Sequence, residues 1–578
     1  MKQAVLIMVD TQRQDMLSCY DADAAPTPVL DALAREGMQF TNGYTCQPVC
    51  GPARSAIFTG LYPHSNGMIA NSMQLGANTK TAGEWLSPHG IECGYIGKWH
   101  LDGGDYFGYG RCPTGYNPAY WYDMRNFLDE LTEEERKKSR QPMQTRLDDP
   151  KEEDTYAHRC ADRAIRFLEE FREKDFFLTL SLDEPHDPSV CPRRFVEALK
   201  KQKLKFHRTP NVKYKLKNKP DHQAIWAKES GKLPFWGLQK ALQRGMLACN
   251  LFCDYEIGRV LDKVRELGLD PLVIYTADHG DMFLSHGIMG KGCVMYNEVT
   301  RVPFLMKGGG FAQGKNTTPV SHIDLLPTLM AHFGVQVPKM MQGSPLQGIG
   351  CDEKRDIFIE FTRYEVDHDG FMGFQPIRCI FDGRYKLVIN LMTSDELYDL
   401  QEDPYEQENL ILDKAYAKIR NNLHDRLIEQ MNVTRDVFRG YYWHCRPWRP
   451  EVKPSFRHTG YTRQLEEEDF TQLDYSPADA GRNESQIKKQ RARCEMLSFR
   501  SGLFHALAVN EIALPRGGVG VAGDKREQVA ARLDQHLLHF IRRDDLCVRH
   551  PVVQHLAEVG EGHLVSLFQL VDMEEHLL

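Results

Sequence analysis

The sequence predicts an α/β protein with a large, mostly parallel central sheet flanked by helices, followed by a smaller C-terminal antiparallel sheet with a packed helix. Two observations carry this. Short apolar, β-rich runs alternate with helical stretches through about residue 330, the pattern of a sheet covered on both faces. Past residue 350 the texture changes to closely spaced strands joined by an Asp382-Gly383 turn, then one amphipathic helix. The expected division is a main α/β domain over 1–350, an α+β subdomain over 351–440, and an arm and extension of unknown role over 441–578.

In chain order, Val5–Val9, Cys93–Ile96, Phe176–Leu182, Leu272–Thr276 and Val302–Met306 read as buried strands, because each is a nearly continuous apolar run. Pro28–Glu36, Ala157–Arg172, Leu238–Leu267 and Asp324–Phe333 carry apolar residues at helical spacing. Leu204–Pro220 is Lys-rich and weakly periodic, which reads as a solvated excursion. Asp356–Phe361, Ile377–Phe381 and Tyr385–Ile389 read as strands, and Ala415–Met431 as the helix packed on them. From Tyr441 to about Asn483 an Arg-, Trp-, Tyr- and Pro-rich stretch reads as an irregular arm. Beyond it lie a turn-rich loop at Pro515–Gly523 and a helix at Lys525–Arg542.

Composition excludes several classes. With 72 basic and 80 acidic residues the formal charge is −8, so no global basic excess drives binding to nucleic acid or an anionic membrane. At 42% hydrophobic residues the chain can fill a sizeable core, which excludes wholesale disorder. The 15 cysteines form no regular framework of close pairs, which argues for a reducing compartment. The N-terminal apolar run, Ala4 to Val9, is stopped by Asp10 and is too short for an export signal or a membrane span. The expectation is a cytoplasmic protein.

Chemistry concentrates at strand ends. The first strand ends in Asp10, and Leu272–Thr276 runs into Ala277-Asp278-His279-Gly280-Asp281, where a carboxylate and an imidazole leave a buried strand together. Ligands of open α/β sheets bind beyond the carboxyl ends of the strands, so Asp10, Asp278 and His279 could supply mixed oxygen and nitrogen ligands to a divalent cation. Glycine at 280 is expected to permit a sharp turn. Cys50, in Cys50-Gly-Pro-Ala-Arg54, precedes a helix ending at Thr59-Gly60, with Pro52 in its first turn. A cysteine at a helix N-terminus is acidified and faces a site that favours anions.

At these residues the chain resembles the formylglycine-dependent sulfatases of the alkaline phosphatase superfamily. Cys50, Pro52 and Arg54 form the C-x-P-x-R sequence that marks a cysteine for oxidation to formylglycine in that family, and Ser55 with Thr59-Gly60 supplies its trailing context. Further motifs follow in order: Gly94-Tyr-Ile-Gly-Lys-Trp-His-Leu101, Pro185-His186, Thr276–Gly280, Gly290-Lys291 with Tyr296–Pro303, and Glu396–Leu400 with Asp403-Pro404 and Asn409-Leu410. The resemblance spans roughly residues 1–440. It is nearest to an uncharacterised bacterial branch carrying Gly97–Gly103, Asp105–Gly108 and Glu184–Pro188. It implies an alkaline phosphatase-like fold and a hydrolase that cleaves sulfate esters of a sugar or other small alcohol.

The roles implied follow the same resemblance. Oxidised Cys50 would be a hydrated aldehyde that attacks sulfur and later expels sulfate, on a divalent cation held by Asp10, Cys50, Asp278 and His279. Arg54 would hold the nucleophile and metal side, and Lys98 and Lys291 the sulfate and leaving oxygens. His100, two residues beyond Lys98 on an extended segment, would face the same way and serve as base; His186 would donate to the leaving oxygen. Calcium is the first cation implied. His279, where many relatives have asparagine, shifts the preference toward manganese or zinc. The second aspartate that many relatives carry after strand one is absent, so that ligand is either lost or replaced by the hydroxyl of Thr11 or the amide oxygen of Gln12. Asn71, His64, Asp102, Asp105, Tyr106 and Arg363 are further candidates for contact with the substrate. A formylglycine-generating maturase is the implied partner, and a homo-oligomer is compatible with the family. Two alternatives stay open: the same machinery acting on phosphonate monoesters or phosphodiesters, and a binder of sulfated ligands whose Cys50 stays unmodified.

Overall fold

The computed structural model describes residues 1–142, 146, 148–200, 210–213, 216–230, 236–366 and 373–452. In chain order the strands are β1 (Gln3–Val9), β2 (Met38–Phe40), β3 (Gly43–Tyr44), β4 (Glu92–Gly97), β5 (Trp121–Tyr122), β6 (Phe176–Leu182), β7 (Leu272–Ala277), β8 (Phe304–Lys307), β9 (Gly314–Asn316), β10 (Val320–Ser321), β11 (Ile357–Arg363), β12 (Phe374–Phe381), β13 (Tyr385–Asn390) and β14 (Glu396–Asp399). Eight of them form the central sheet in the order β5-β4-β6-β1-β7-β8-β2-β9. Only β8 runs against the rest, pairing antiparallel with both β7 and β2. The α/β expectation therefore holds.

Both faces of this sheet are buried, and β1 gives the reason for its unbroken apolar run. Val5, Ile7 and Val9 enter one core with the helices Pro28–Glu36, Tyr156–Phe171 and Trp236–Glu266. Ala4, Leu6 and Met8 enter the other, with Ile57, Phe58 and the helix Leu325–Phe333. A strand with period-2 geometry shows side chains to both faces, so two covering layers require apolar residues at every position. Each buried Val, Leu or Ile contributes about 1.5–3 kcal/mol.

The long elements sit within a few residues of their sequence expectations. The short strands β2, β5 and β9 were outside those expectations, since two or three residues carry too little periodicity to register. β8 begins at Phe304, not Val302, because Pro303 has no N–H to give to the ladder. Leu204–Pro220 is only partly the solvated excursion expected of it. Among its described residues Asn211, Val212 and Lys219 are buried. The Lys219 ammonium donates to Tyr398 Oη at 2.6 Å and to the Glu406 carbonyl at 2.5 Å.

The second sheet, β11-β12-β13-β14, is antiparallel throughout. Gly383, at φ 100°, makes the expected turn between β12 and β13. The helix Ala417–Val433 covers one face through Leu423, Leu427 and Met431, which meet Ile380, Leu387 and Ile389. The start of the Arg- and Trp-rich stretch packs on this unit: Arg446 pairs with Asp395 at 2.8 Å, and Trp448 Nε1 donates to the same carboxylate at 2.7 Å. The remainder of that stretch, the Pro515–Gly523 loop and the Lys525–Arg542 helix lie outside the described residues. Among the described residues every cysteine is a free thiol, and no helix is long and apolar enough to cross a membrane.

Candidate active site

Four neighbouring parallel strands end side by side, and the next residue of each is charged. β4 runs into Lys98, β6 into Asp183, β1 into Asp10 and β7 into Asp278. The ladder carries on past the strand ends, with Lys98 N–H bonded to Ser181 O at 2.8 Å, Asp10 N–H to Leu182 O at 3.1 Å and Asp278 N–H to Val9 O at 3.2 Å. The backbone thus fixes the spacing of these charges. Two glycines let the chain make the approach. Gly97 has φ 120°, and a Cβ there would lie 1.8 Å from Ser181 O. At Gly280 a Cβ would lie 1.9 Å from Glu298 O. The sharp turn expected after β7 needs glycine because the Glu298 carbonyl passes so close.

Cys50 opens the buried helix Cys50–Thr59, which Gly60 closes in the left-handed region at φ 66°. Asn71 clamps the first turn, its Oδ1 accepting the Gly51 N–H at 2.8 Å. This contact holds the start of the helix beside Cys50. The Cys50 sulfur lies 3.2 Å from His279 Nε2, 3.0 Å from Lys291 Nζ and 3.8 Å from Asp10 Oδ1. Ligand atoms of Asp10, Cys50, Asp278 and His279 all fall within 4.8 Å of one another, and all four residues are buried.

Three cations balance this pocket. Arg54 is wholly buried; its Nε donates to Asp278 Oδ2 at 3.0 Å and its Nη2 to Asp10 Oδ2 at 3.1 Å, while Nη1 reaches Lys98 O and Ser181 Oγ. Lys98 Nζ sits 2.7 Å from Asp10 Oδ2 and 3.1 Å from Asp183 Oδ1. Lysine is almost never fully buried unless paired, so side-chain exposures of 1% for Lys98 and 7% for Lys291 set them apart from surface lysines. Burial opposes ionisation of Asp10, yet Lys98 and Lys291 outweigh it and hold its pKa well below the carboxylate range. Burial and Asp10 push the Cys50 thiol up, but Lys291, Lys98 and His279 prevail, leaving it well below an ordinary thiol. For Asp278, burial and the charge of Asp10 win and raise the pKa.

The donor set fits a divalent cation. His279 Nδ1 lies 2.8 Å from Gly280 O; a carbonyl only accepts, so Nδ1 carries the hydrogen and Nε2 turns its lone pair to the cluster. Of the two replacements for the missing aspartate, Thr11 is in place: its Oγ1 donates to Asp10 Oδ1 at 2.6 Å and lies 3.4 Å from Lys291 Nζ. Gln12 is engaged elsewhere, donating to Asn250 at 2.5 Å and accepting from Tyr275 Oη at 2.7 Å.

A second group borders the pocket. Tyr106 Oη donates to Asp183 Oδ1 and lies 3.1 Å from His186 Nδ1, and Lys98 Nζ rests 3.9 Å from the centre of the Tyr106 ring. His186 Nδ1 is also 3.0 Å from Asp187 Oδ1. Burial and Lys291 oppose charge on this imidazole, but Asp187 and Asp10 outweigh them and push its pKa up to about 9. His100 reaches the neighbourhood by another route than the one expected. Its φ is 60°, so the segment after Lys98 is not extended and period-2 reasoning fails there. Its ring packs edge-on against Tyr106, with centroids 5.9 Å apart. Asp183 was missed, although it follows β6 just as Asp10 follows β1.

The other substrate-contact candidates lie in structural roles. Asp102 accepts the N–H groups of Gly104 and Tyr109, and Asp105 that of Phe107. His64 is buried on Glu360, 2.5 Å from Nδ1 to Oε2. Arg363 ends β11, half-buried.

Residues 2–335 match the family model "Sulfatase", more than half of the chain. The chain belongs to the sulfatase family. Residues 285–433 of this sulfatase-family protein also match "N-sulphoglucosamine sulphohydrolase, C-terminal", which covers the second sheet and its helix. It is 40% identical to the uncharacterized sulfatase YidJ of Escherichia coli (strain K12) over 459 residues, 78% of this chain and 91% of that one. It is 25% identical to the N-acetylglucosamine-6-O-sulfatase of Bacteroides thetaiotaomicron, over 75% of this chain and 86% of the relative. The crystal structure of the phosphonate monoester hydrolase of Agrobacterium radiobacter shares its fold with a TM-score of 0.63 at 21% identity, covering 75% of this chain and 96% of that one. The protein is a sulfuric ester hydrolase by family, on an alkaline phosphatase-like fold.

Proposed function

We propose that the protein hydrolyses sulfate esters of a sugar or other small alcohol, with formylglycine made from Cys50 as nucleophile and a divalent cation held by Asp10, Asp278, His279 and the nucleophile. The observation that carries this is the placement of Cys50 at a helix N-terminus, 3.0 Å from Lys291 and 3.2 Å from His279, inside the buried carboxylate–imidazole cluster. When bound, the cation would supply Lewis acidity and lower the pKa of a hydroxyl on the modified side chain. The remaining chemistry belongs to the protein. Lys98 and Lys291 offer positive charge to sulfate oxygens in a water-poor pocket, where such charge is worth most. Arg54 keeps the two carboxylates apart and aimed. His186, protonated at neutral pH, is suited to give its proton to the leaving oxygen. His100 packs beside this group and remains the candidate base. The relative named as an N-acetylglucosamine-6-O-sulfatase supports a sugar sulfate as substrate class.

The phosphonate monoester reading keeps one specific support, the imidazole of His279 in the metal set, which favours a softer cation than calcium. Two measurements decide. Protein produced with a maturase should show a peptide mass at Cys50 lowered from thiol to aldehyde; an unmodified thiol would favour the ligand-binding alternative. The modified enzyme should then have a higher kcat/KM on 4-nitrophenyl sulfate than on phenyl 4-nitrophenyl phosphonate, and the reverse order sinks the sulfatase assignment.

The proton on His186 gives an expected pH profile. A general acid must be protonated, so kcat/KM for a poor leaving group should fall as pH rises through about 9. His186→Gln should lower activity about 10²–10⁴-fold on such a substrate and remove that limb. A profile whose basic limb survives in His186→Gln would show that another group is the acid.

A further inference from the structure

A cleft opens beside His186, walled by Met124, Phe127, Arg140, Tyr156, Asp183 and Glu184, and encloses about 420 Å³, part of it open to solvent. His186 and Asp183 are common to this cleft and to the nucleophile pocket, since Asp183 pairs with Lys98. Two of its polar groups are not used by the reaction described above. Glu184 is buried, with Oε1 accepting the Ala157 N–H at 3.0 Å and Oε2 without a partner. Burial, then the charge of Asp183, raises the pKa of this carboxyl to about 8, which leaves a hydroxyl there at neutral pH. Arg140 lies across the mouth, 3.9 Å from Asp183 Oδ2, with its guanidinium 5.4 Å from the Tyr106 ring centre and 5.1 Å from that of Phe107.

The charges of the cleft do not cancel locally. Asp183 is already met by Lys98 at 3.1 Å, and Asp154, at the rim, accepts the Lys151 N–H. Arg140 therefore rests its guanidinium against two adjoining aromatic rings, Tyr106 and Phe107, with only a long contact to a carboxylate that has a nearer partner. A planar fork held this way is prepared for a bidentate anion.

We propose that this cleft receives the leaving alcohol of the substrate, and that Arg140 selects alcohols bearing a second anionic group, a carboxylate or another sulfate, while Glu184 hydrogen-bonds a hydroxyl of the same moiety. This rests on the sulfate-ester reading above. It assigns the specificity of the enzyme to a patch beside the reacting centre rather than to the groups that hold the reacting sulfate.

The test compares two aryl sulfates, phenyl sulfate and 3-carboxyphenyl sulfate, on wild type, Arg140→Gln and Lys138→Ala. Lys138 is a nearby surface cation paired with Glu134, so its variant reports the general effect of removing a charge. Because each substrate is compared across variants, the differing leaving-group reactivity cancels. Arg140→Gln is expected to lose at least tenfold more kcat/KM on the carboxylated ester than on phenyl sulfate, and Lys138→Ala to lose the two equally. Equal losses in Arg140→Gln, or a matching bias in Lys138→Ala, would overturn the proposal. Calorimetric binding of 3-carboxyphenyl sulfate to Cys50→Ala, with and without Arg140→Gln, decides the matter independently of turnover. A tenfold weakening supports the assignment of Arg140 even if the esterase reading fails, and unchanged affinity rejects it.

Discussion

Replacing Arg54 with methionine is expected to abolish measurable turnover and to cost about 3–5 kcal/mol of folding stability, the range for breaking a buried ion pair by removing one partner. The guanidinium is wholly buried and contacts Asp10, Asp278, Lys98 O and Ser181 Oγ at 2.6–3.1 Å. Its removal leaves two carboxylates facing each other at the ends of β1 and β7, while Lys98 O keeps the hydroxyls of Tyr95 and Ser181 as donors. Arg54→Lys should recover only part of the loss, because one ammonium on a flexible stem cannot reach both carboxylates and the carbonyl together. A divalent cation offers a diagnostic readout. If the cluster is a metal site, calcium or manganese at about a hundred times Kd should stabilise the folded protein by about 2.7 kcal/mol through mass action alone. Thermal unfolding of wild type and Arg54→Met, each with chelator and with cation, measures both effects. A variant that melts with wild type in chelator would show that Arg54 does not balance these carboxylates.

Much of this site could be read before any coordinates, because strand ends are visible in sequence. A buried parallel strand must be apolar on both faces, so the first charged residue after it marks where the strand leaves the core. That rule found Asp10 and Asp278-His279, and the chain brings them to within 4.8 Å of each other with Cys50. The same rule applied to Phe176–Leu182 would have found Asp183. What failed was inference about direction in irregular backbone. Strand periodicity puts His100 on a segment where φ is 60°, and the sharp turn expected at Gly280 does not reveal the Glu298 carbonyl that crowds it. Tyr106, a candidate for contact with the substrate, also bridges Lys98, Asp183 and His186; nothing local in Asp105–Gly108 encodes contacts with three distant segments. The burial of His64 and Lys219 escapes the sequence for a related reason, since the partners that draw these polar groups inside come from remote segments.

Those remote partners predict the second large effect. His64, just past the helix Cys50–Thr59, binds Glu360 of β11 through both its Nδ1, at 2.5 Å, and its main-chain N–H, at 2.7 Å. Arg378 of β12 is wholly buried, pairs with Asp436 through Nε and through Nη2 at 2.9 Å, and lies 3.7 Å from Glu360. The four charges balance only if His64 is protonated. Burial disfavours that form, but Glu360, then Asp436, outweigh it and raise the pKa of His64, while burial of Asp436 is outweighed by Arg378, which lowers its pKa. Arg378→Met should therefore cost about 3–5 kcal/mol in urea unfolding, since it leaves two buried carboxylates to a single imidazole. The sign of the pH dependence follows from linkage. A histidine whose pKa is raised on folding contributes stability that is complete below its unfolded value, near 6.5, and is lost as pH rises through the folded value. Asp436 acts in the opposite sense, its contribution present above the unfolded carboxylate pKa and lost as pH falls through the lowered folded one. Glu360→Gln keeps the shape of the network but removes the charge that holds the His64 proton. Its deficit relative to wild type should be largest below pH 6.5 and shrink on the alkaline side as His64 loses its proton. A deficit that stays constant from pH 6 to pH 9 would mean that His64 is neutral in the folded protein, and that its link to the second sheet is a neutral hydrogen bond rather than an ion pair.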